Sequence, residues 1–145
     1  MTTEIHGIAE VAELTGLTKD TLRWYEREGL IPAVDRDGAG RRQYDDALVR
    51  MLHLLVRLRR TGMPVAQVKH FVDLMEEGAA SHGRRITLLQ EHRLRLIEQI
   101  AALHDDLQAV DDKIGHYEVL IAAGMDCTEE QINDPDVLRK QRSLT

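Results

Sequence analysis

The chain has 145 residues, a net charge of −6, a single cysteine, and one Trp, one Phe and three Tyr. That length allows one compact domain or one small domain with an appendage, and the lone Cys127 excludes an intrachain disulfide framework and fits a reducing compartment. No apolar run approaches the roughly 20 residues of a membrane span, and Met1-Thr2-Thr3-Glu4 lacks the basic and apolar regions of a secretory signal, so a cytoplasmic protein is expected.

Scarce Pro and abundant Leu, Ile, Ala, Glu, Gln and Arg favour helix. Ile8, Val11, Ala12 and Leu14 stand at helical spacing and Gly16 ends that segment. Thr18 is a good N-cap for a second helix over 19–28, which buries Leu22 and Trp24 and stops at Gly29. Two short helices joined by a tight Gly-containing turn make a helix-turn-helix. Leu30-Ile31-Pro32 leaves in extended form. The stretch from Asp35 to Tyr44, with its Asp-Gly and Ala-Gly pairs, reads as a hairpin or wing.

Asp45 or Asp46 caps a third helix running to about Thr61, with Leu48, Met51, Leu52, Leu55 and Leu58 on one face. Gly62-Met63-Pro64 breaks the chain, and a fourth helix over about 65–77 buries Val68, Phe71, Val72 and Met75. After Gly78-Ala79-Ala80-Ser81 the apolar spacing alternates strictly between four and three. Heptad a positions are Ile86, Arg93, Ile100, Leu107, Ile114 and Ile121; d positions are Leu89, Leu96, Leu103, Val110 and Tyr117. Five heptads without Pro predict one long coiled-coil helix, extending over about 50 Å at 1.5 Å per residue. Such a rod cannot bury its own stripe, so a homodimer is expected. Arg93 either sets register, pairs with an acid across the seam, or lies where the seam opens towards the head. Beyond Gly124, Thr128-Glu129-Glu130-Gln131 matches a capping box for a short helix or turn, Asp134-Pro135 breaks it, and the last residues fray.

Charge is uneven along this plan. Residues 19–60 hold ten Lys/Arg against seven Asp/Glu, whereas 78–145 hold eight against twelve, so a modestly basic head sits on an acidic tail. The expected fold is mainly α: a winged helix-turn-helix head over 1–77, a linker and dimerising coiled-coil helix over 78–124, and a tail over 125–145.

The residues from Thr21 to Pro32, TLRWYEREGLIP, closely resemble the recognition-helix signature of MerR-type transcription regulators. Arg41-Arg42-Gln43-Tyr44 is similar to their wing, and Leu58-Arg59-Arg60-Thr61-Gly62-Met63-Pro64 to the junction before their fourth helix. The resemblance covers residues 5–77 in detail and the coiled coil in kind. It implies a homodimer paired through antiparallel coiled coils, with two heads on successive turns of one face of promoter DNA. It further implies deformation of the DNA between two overspaced polymerase elements, so that RNA polymerase engages both.

On that resemblance, Lys19 and Arg23, one helical turn apart, would face base edges and phosphates, unless Arg23 merely pairs with Asp20 or Glu26. Thr18 and Thr21 would donate to the DNA backbone, with capping the rival role for Thr18. Tyr25 offers a hydroxyl to a phosphate or packs under the wing, and Trp24 belongs to the core. Arg41 and Arg42 at the wing tip would contact phosphate or the minor groove; Tyr44 reaches a phosphate or closes the wing onto the head. The amides after Pro64 form a further phosphate site. Dimerisation falls to Leu89, Leu96, Ile100, Leu103, Leu107, Val110, Ile114, Tyr117 and Ile121.

Metal-sensing relatives resemble one another in a cysteine pair near the coil end, where this chain has only Cys127. His82, His92, His104 and His116 offer no i, i+4 pair, and His92 and His104 fall on solvated flanks, so no metal is expected. Cys127 is an incidental thiol, or forms an interchain disulfide or reacts with an electrophile. The overall pattern resembles the aldehyde- and thiol-stress regulators, many of which place a cysteine in the third helix, where this chain has Arg57. No glycine-rich phosphate loop, nucleophile–base pair or metal triad is present, so neither catalysis nor a cofactor is expected. The competing readings are a coiled-coil protein-interaction module and a non-specific architectural DNA-binding protein.

Overall fold

A computed structural model describes residues 3–145. The elements are β1 (Ile5–His6), α1 (Ile8–Thr15), α2 (Lys19–Arg27), β2 (Asp35–Arg36), β3 (Arg42–Asp45), α3 (Asp46–Arg60), α4 (Val65–Glu76), a 3₁₀ turn (Gly78–Ser81), α5 (His82–Ala123) and α6 (Pro135–Gln141). The chain divides into two compact units, residues 1–96 and 97–145. The fold is mainly helical with a small sheet, as expected: a winged helix-turn-helix followed by a long helix.

In the first unit, Thr18 caps α2 by accepting the Thr21 amide at 3.0 Å. The end of α2 is set by Gly29, whose φ of 72° is a left-handed conformation that costs glycine nothing. It allows the Leu30 amide to reach back to the Tyr25 carbonyl at 2.8 Å and the Gly29 amide to the Glu26 carbonyl, the double return of a Schellman end. Leu30 and Ile31 drop into the core directly behind it. The core gathers Val11, Leu22, Tyr44, Leu52, Leu55, Met63, Val68 and Phe71 from helices and wing alike.

Along α3 the buried residues are Val49, Leu52, Leu55 and Leu58, with Leu48 and Met51 half-buried. Along α4, Val68, Phe71, Val72 and Leu74 are buried while Met75 is half-buried, so the inward face is turned slightly from the expected one. Trp24, expected in the core, is 41 % exposed. It lies two residues beyond Leu22, about 200° around the helix, and so points away from the side that Leu22 buries.

The sheet has the order β1-β3-β2, both pairs antiparallel, with Ile5 opposite Asp45, His6 opposite Tyr44 and Arg36 opposite Arg42. β1 has no alternating pattern because two residues cannot make one. Its reason to exist is His6, buried between two carboxylates: Nε2 lies 2.9 Å from Asp46 Oδ1 and Nδ1 lies 3.0 Å from Glu10 Oε1. The hydrogen bond to Asp46, then that to Glu10, raises the His6 pKa above the ordinary 6.5. A raised folded value means that the stabilisation is fully present below about 6.5 and is lost as pH rises through that raised value. The thermal midpoint should therefore fall as the buffer is moved from mildly acidic to mildly alkaline pH. His6→Gln should flatten that slope; an unchanged slope in the variant would remove His6 as its source.

The chain leaves the head through Ser81, whose buried hydroxyl is bonded to the Leu74 carbonyl, and continues into α5. The first turns of α5 pack onto the head through Leu88 and Leu89. His92, expected on a solvated flank, is instead 2 % exposed. Its Nε2 meets Thr61 Oγ1 at 2.8 Å, and because that hydroxyl donates to the Arg57 carbonyl at 2.7 Å, the histidine is the donor between them. The flank is solvated only in an isolated rod; here it faces the corner between α3 and α4. Burial, followed by the nearby charge of Arg95, pushes the His92 pKa down and favours the neutral ring.

In the second unit, α5 ends at Ala123, and Gly124 reverses the chain with a φ of 64°. Met125 forms an antiparallel bridge with Gln131. The residues Thr128 to Gln131 do not open a helix as a capping box would. The Asp126 carboxylate takes the Thr128 amide at 2.9 Å, the Thr128 hydroxyl at 2.7 Å and the Glu130 amide at 3.1 Å, closing a turn instead. Asp134-Pro135, expected to break structure, starts α6: Asp134 caps it by accepting the Asp136 amide at 2.9 Å, and Pro135 occupies the first turn, where no amide is needed.

Candidate nucleic-acid interface

α2 presents Lys19, which is exposed, and Arg23, which is half-exposed, one turn apart. Arg23 Nη1 pairs with Asp20 Oδ1 at 2.9 Å, and Asp20 is almost wholly exposed. An exposed pair of this kind contributes little and is readily exchanged for a stronger anion. Thr18 donates its hydroxyl to Thr21 Oγ1 at 2.8 Å while capping the helix, which leaves the Thr21 hydroxyl proton as the one available to a ligand. Tyr25 is half-buried against the core, its ring 5.7 Å from that of Trp24.

The wing tip is organised by Asp37. Its carboxylate accepts the Ala39 and Arg41 amides, each at 2.9 Å, and Arg41 Nε at 3.1 Å. The bond from the Arg41 amide is the largest influence on this carboxyl and, with the others, holds it below the ordinary aspartate value. Arg41 is 80 % exposed at the side chain and projects from this turn. Its neighbour does not. Arg42 is only 17 % exposed and places Nε 2.7 Å from Glu26 Oε1 on α2, so it lies inside the strand rather than at the tip.

Tyr44, expected to reach a phosphate or to close the wing, is fully buried, and its hydroxyl has no partner. It closes the wing onto the head and does not reach the surface. Burial pushes its phenol up from 10.0. Tyr44→Phe should accordingly leave DNA affinity unchanged and leave the thermal midpoint equal or slightly higher, because it removes a buried hydroxyl that bonds nothing. A clear loss of affinity in a titration of the variant would return Tyr44 to the interface.

Sequence reading missed Arg36. It sits opposite Arg42 in the strand register and donates to the Gly40 carbonyl at 3.0 Å. A cleft of about 420 Å³ between the start of α1 and the wing gathers Arg23, Arg36, Arg41 and Arg42 beside Gly7 and Ala9. α1 starts at Gly7 without a side-chain cap, so its first amides add a positive helix end to the arginines. The signal available in advance was the hairpin itself: once strands pair, residues on either side of the turn share a face.

On α5 the heptad residues Ile100, Leu103, Leu107, Val110, Ile114 and Tyr117 are all exposed, between 46 % and 66 %. Leu96 and Ile121 are half-buried, and Leu89 packs partly against the head core. Arg93 is exposed, as are His82, His104 and His116. Cys127 is an exposed free thiol in the turn before α6. Among the described residues, the group spaced to hold a metal ion is Glu4, His6 and Asp46, where the carboxylates of Asp46 and Glu10 already flank both ring nitrogens of His6. Among the same residues no helix is long and apolar enough to cross a membrane.

Two family models match the sequence: MerR HTH family regulatory protein over residues 7–74, and MerR, DNA binding over residues 49–117. An uncharacterized HTH-type transcriptional regulator of Haemophilus influenzae is 34% identical over 116 residues, which is 80% of this chain and 86% of that protein. The HTH-type transcriptional regulator AdhR of Bacillus subtilis is 38% identical over 91 residues, 63% of this chain and 65% of AdhR. Among solved structures, HiNmlR, a MerR family regulator lacking the sensor domain and bound to promoter DNA, superposes with a TM-score of 0.74 at 32% identity, over 83% of this chain and 96% of that one. A putative MerR family regulator from Listeria monocytogenes gives 0.73 at 31% identity, over 78% and 86%. These families and relatives are transcriptional regulators, not enzymes.

Proposed function

The chain belongs to the MerR family of DNA-binding transcription regulators, and from that premise we propose that it works as a homodimer which grips a pseudo-palindromic promoter site and distorts the DNA between two polymerase elements. The observation that carries this reading is the cationic surface shared by recognition helix and wing, where Arg23, Arg36 and Arg41 stand around the open start of α1 and Lys19 lies one turn before Arg23 on α2. Phosphates along a groove edge are the partners such a surface suits. The six exposed seam residues of α5 support pairing with a second copy, since an apolar stripe of that length is not stably left to water. HiNmlR, of similar fold, is bound to promoter DNA.

In this reading residues 1–77 hold the DNA, 78–124 link and pair the chains in antiparallel fashion, and 125–145 form the tail. RNA polymerase is the partner at the promoter, the cytoplasm is the location, and the activating signal is unassigned. Selection of genomic fragments by the purified protein, footprinting at two salt concentrations, and measurement of bend by circular permutation test the proposal. One protected pseudo-palindrome between promoter elements, with altered mobility of the bent fragment, is the expected result. Weak protection of all fragments would favour an architectural protein, and no binding at low salt would favour a protein-interaction module.

A further inference from the structure

We propose that Glu26 is a positioning residue for DNA binding, one that ties the wing to the recognition helix and so sets the spacing between the two elements that meet the duplex. The proposal rests on the helix–wing interface described above and adds to it a residue that touches no DNA.

Glu26 lies on the last turn of α2 with its side chain 15 % exposed. One carboxylate oxygen accepts Arg42 Nε at 2.7 Å, and the other accepts the Val34 amide at 2.8 Å. Arg36 Nη2 stands 4.0 Å from the oxygen that holds Arg42. Arg36 and Arg42 are cross-strand neighbours, and Val34 leads into β2, so one carboxylate holds both strands of the wing and the segment entering it. Among the described residues, every side-chain hydrogen bond or ion pair from α2 to the wing ends on this group. Burial alone would push the Glu26 carboxyl up; the bonds from Arg42 and Val34, with the charges of Arg42 and Arg36, more than reverse that and keep it ionised.

An acid at this position opposes a polyanion by its charge. Simple electrostatics therefore predicts that neutralising it tightens DNA binding, whereas a positioning role predicts the opposite sign. The two accounts are separated by direction rather than by size. Nor is the link replaceable by backbone alone, because the β2–β3 pairing joins the wing strands to each other and not to α2.

The test uses the full chain with a promoter fragment obtained by selection, comparing wild type, Glu26→Ala, the isosteric Glu26→Gln, and Asp20→Asn as a control for charge at an exposed acid on the same helix. Glu26→Ala should weaken binding about tenfold or more, Glu26→Gln should recover part of that loss because its amide oxygen still accepts a bond, and Asp20→Asn should bind as well as or better than wild type. Amide hydrogen exchange on the free proteins should show faster exchange at Val34 in Glu26→Ala. Should alanine prevent folding, Glu26→Gln alone decides: a weaker complex supports the clamp. Equal or tighter binding in the Glu26 variants, or unchanged exchange at Val34, overturns it. If wild type binds no fragment, the regulator reading fails separately, and the Val34 exchange still tests whether Glu26 holds the wing.

Discussion

Replacing Leu103 and Leu107 with glutamate is expected to leave the protein as single chains and to weaken promoter binding by about a hundredfold to ten-thousandfold. The two side chains are 66% and 55% exposed, so they do not support the packing of their own chain. Their loss should therefore leave the head folded. In a dimer they would be buried, at about 25 cal/mol per Å² of apolar surface. Heptad residues run from 86 to 121, so in an antiparallel pair Leu103 and Leu107 lie near the centre, the d residue of one chain facing the a residue of the other. A glutamate there meets another glutamate in a site sealed from water, which opposes pairing twice over, by desolvation and by like charge. A head that binds alone loses the effective concentration that links two half-sites. Light scattering gives the mass of the species, circular dichroism shows that the head survives, and a gel-shift titration gives the affinity. A variant that keeps the mass of two chains, or that binds promoter DNA as wild type does, would refute the seam.

The second large effect should come from Arg23→Ala and Arg41→Ala. Each dimer loses two cations per substitution, and with a salt slope of roughly 0.9 per neutralised phosphate the slope should fall by about two for a residue that contacts phosphate. A residue that reads a base edge instead costs about 1–3 kcal/mol per half-site and relaxes preference at one position. Arg41 is expected to be of the first kind, from its place at the wing turn, and Arg23 of the second, from its place on α2. Neither should change the thermal midpoint appreciably, since both pair only with exposed or turn carboxylates. Arg42→Ala should differ on this count, because its guanidinium is inside the fold against Glu26. Fluorescence anisotropy titrations at three salt concentrations, with thermal denaturation alongside, separate the three. Affinity and slope unchanged in both Arg23 and Arg41 variants would remove this face from the interface.

The α5 stripe and the cationic face of the head are encoded differently. The helix-turn-helix, the wing and the long helix were legible from residues near one another in the chain. Thr18 caps, Gly29 turns, and the stripe from Ile100 to Tyr117 repeats at heptad spacing, so each is dictated by local geometry and periodicity. Arg23 and Arg41, the cations singled out by motif, remain on the surface, where the proposed interface needs them. What periodicity does not encode is the partner across the fold. Arg42 looks like a second wing-tip cation until Glu26, sixteen residues earlier, draws it in. His92 looks like a solvated flank until Thr61, thirty-one residues earlier, meets it, and His6 gives no sign of its role until Asp46 is folded against it. Tyr44 was open between phosphate and packing, and burial alone decided for packing. The sequence by itself determined the helices α1 to α5, the wing, their order and the family resemblance, because these follow from backbone propensity, apolar spacing and motif, whereas β1 and α6 escaped it. Only the tertiary structure decided which charged and polar side chains stay exposed and which hold the fold, because that depends on distant groups brought within about 3 Å, the reach of a hydrogen bond.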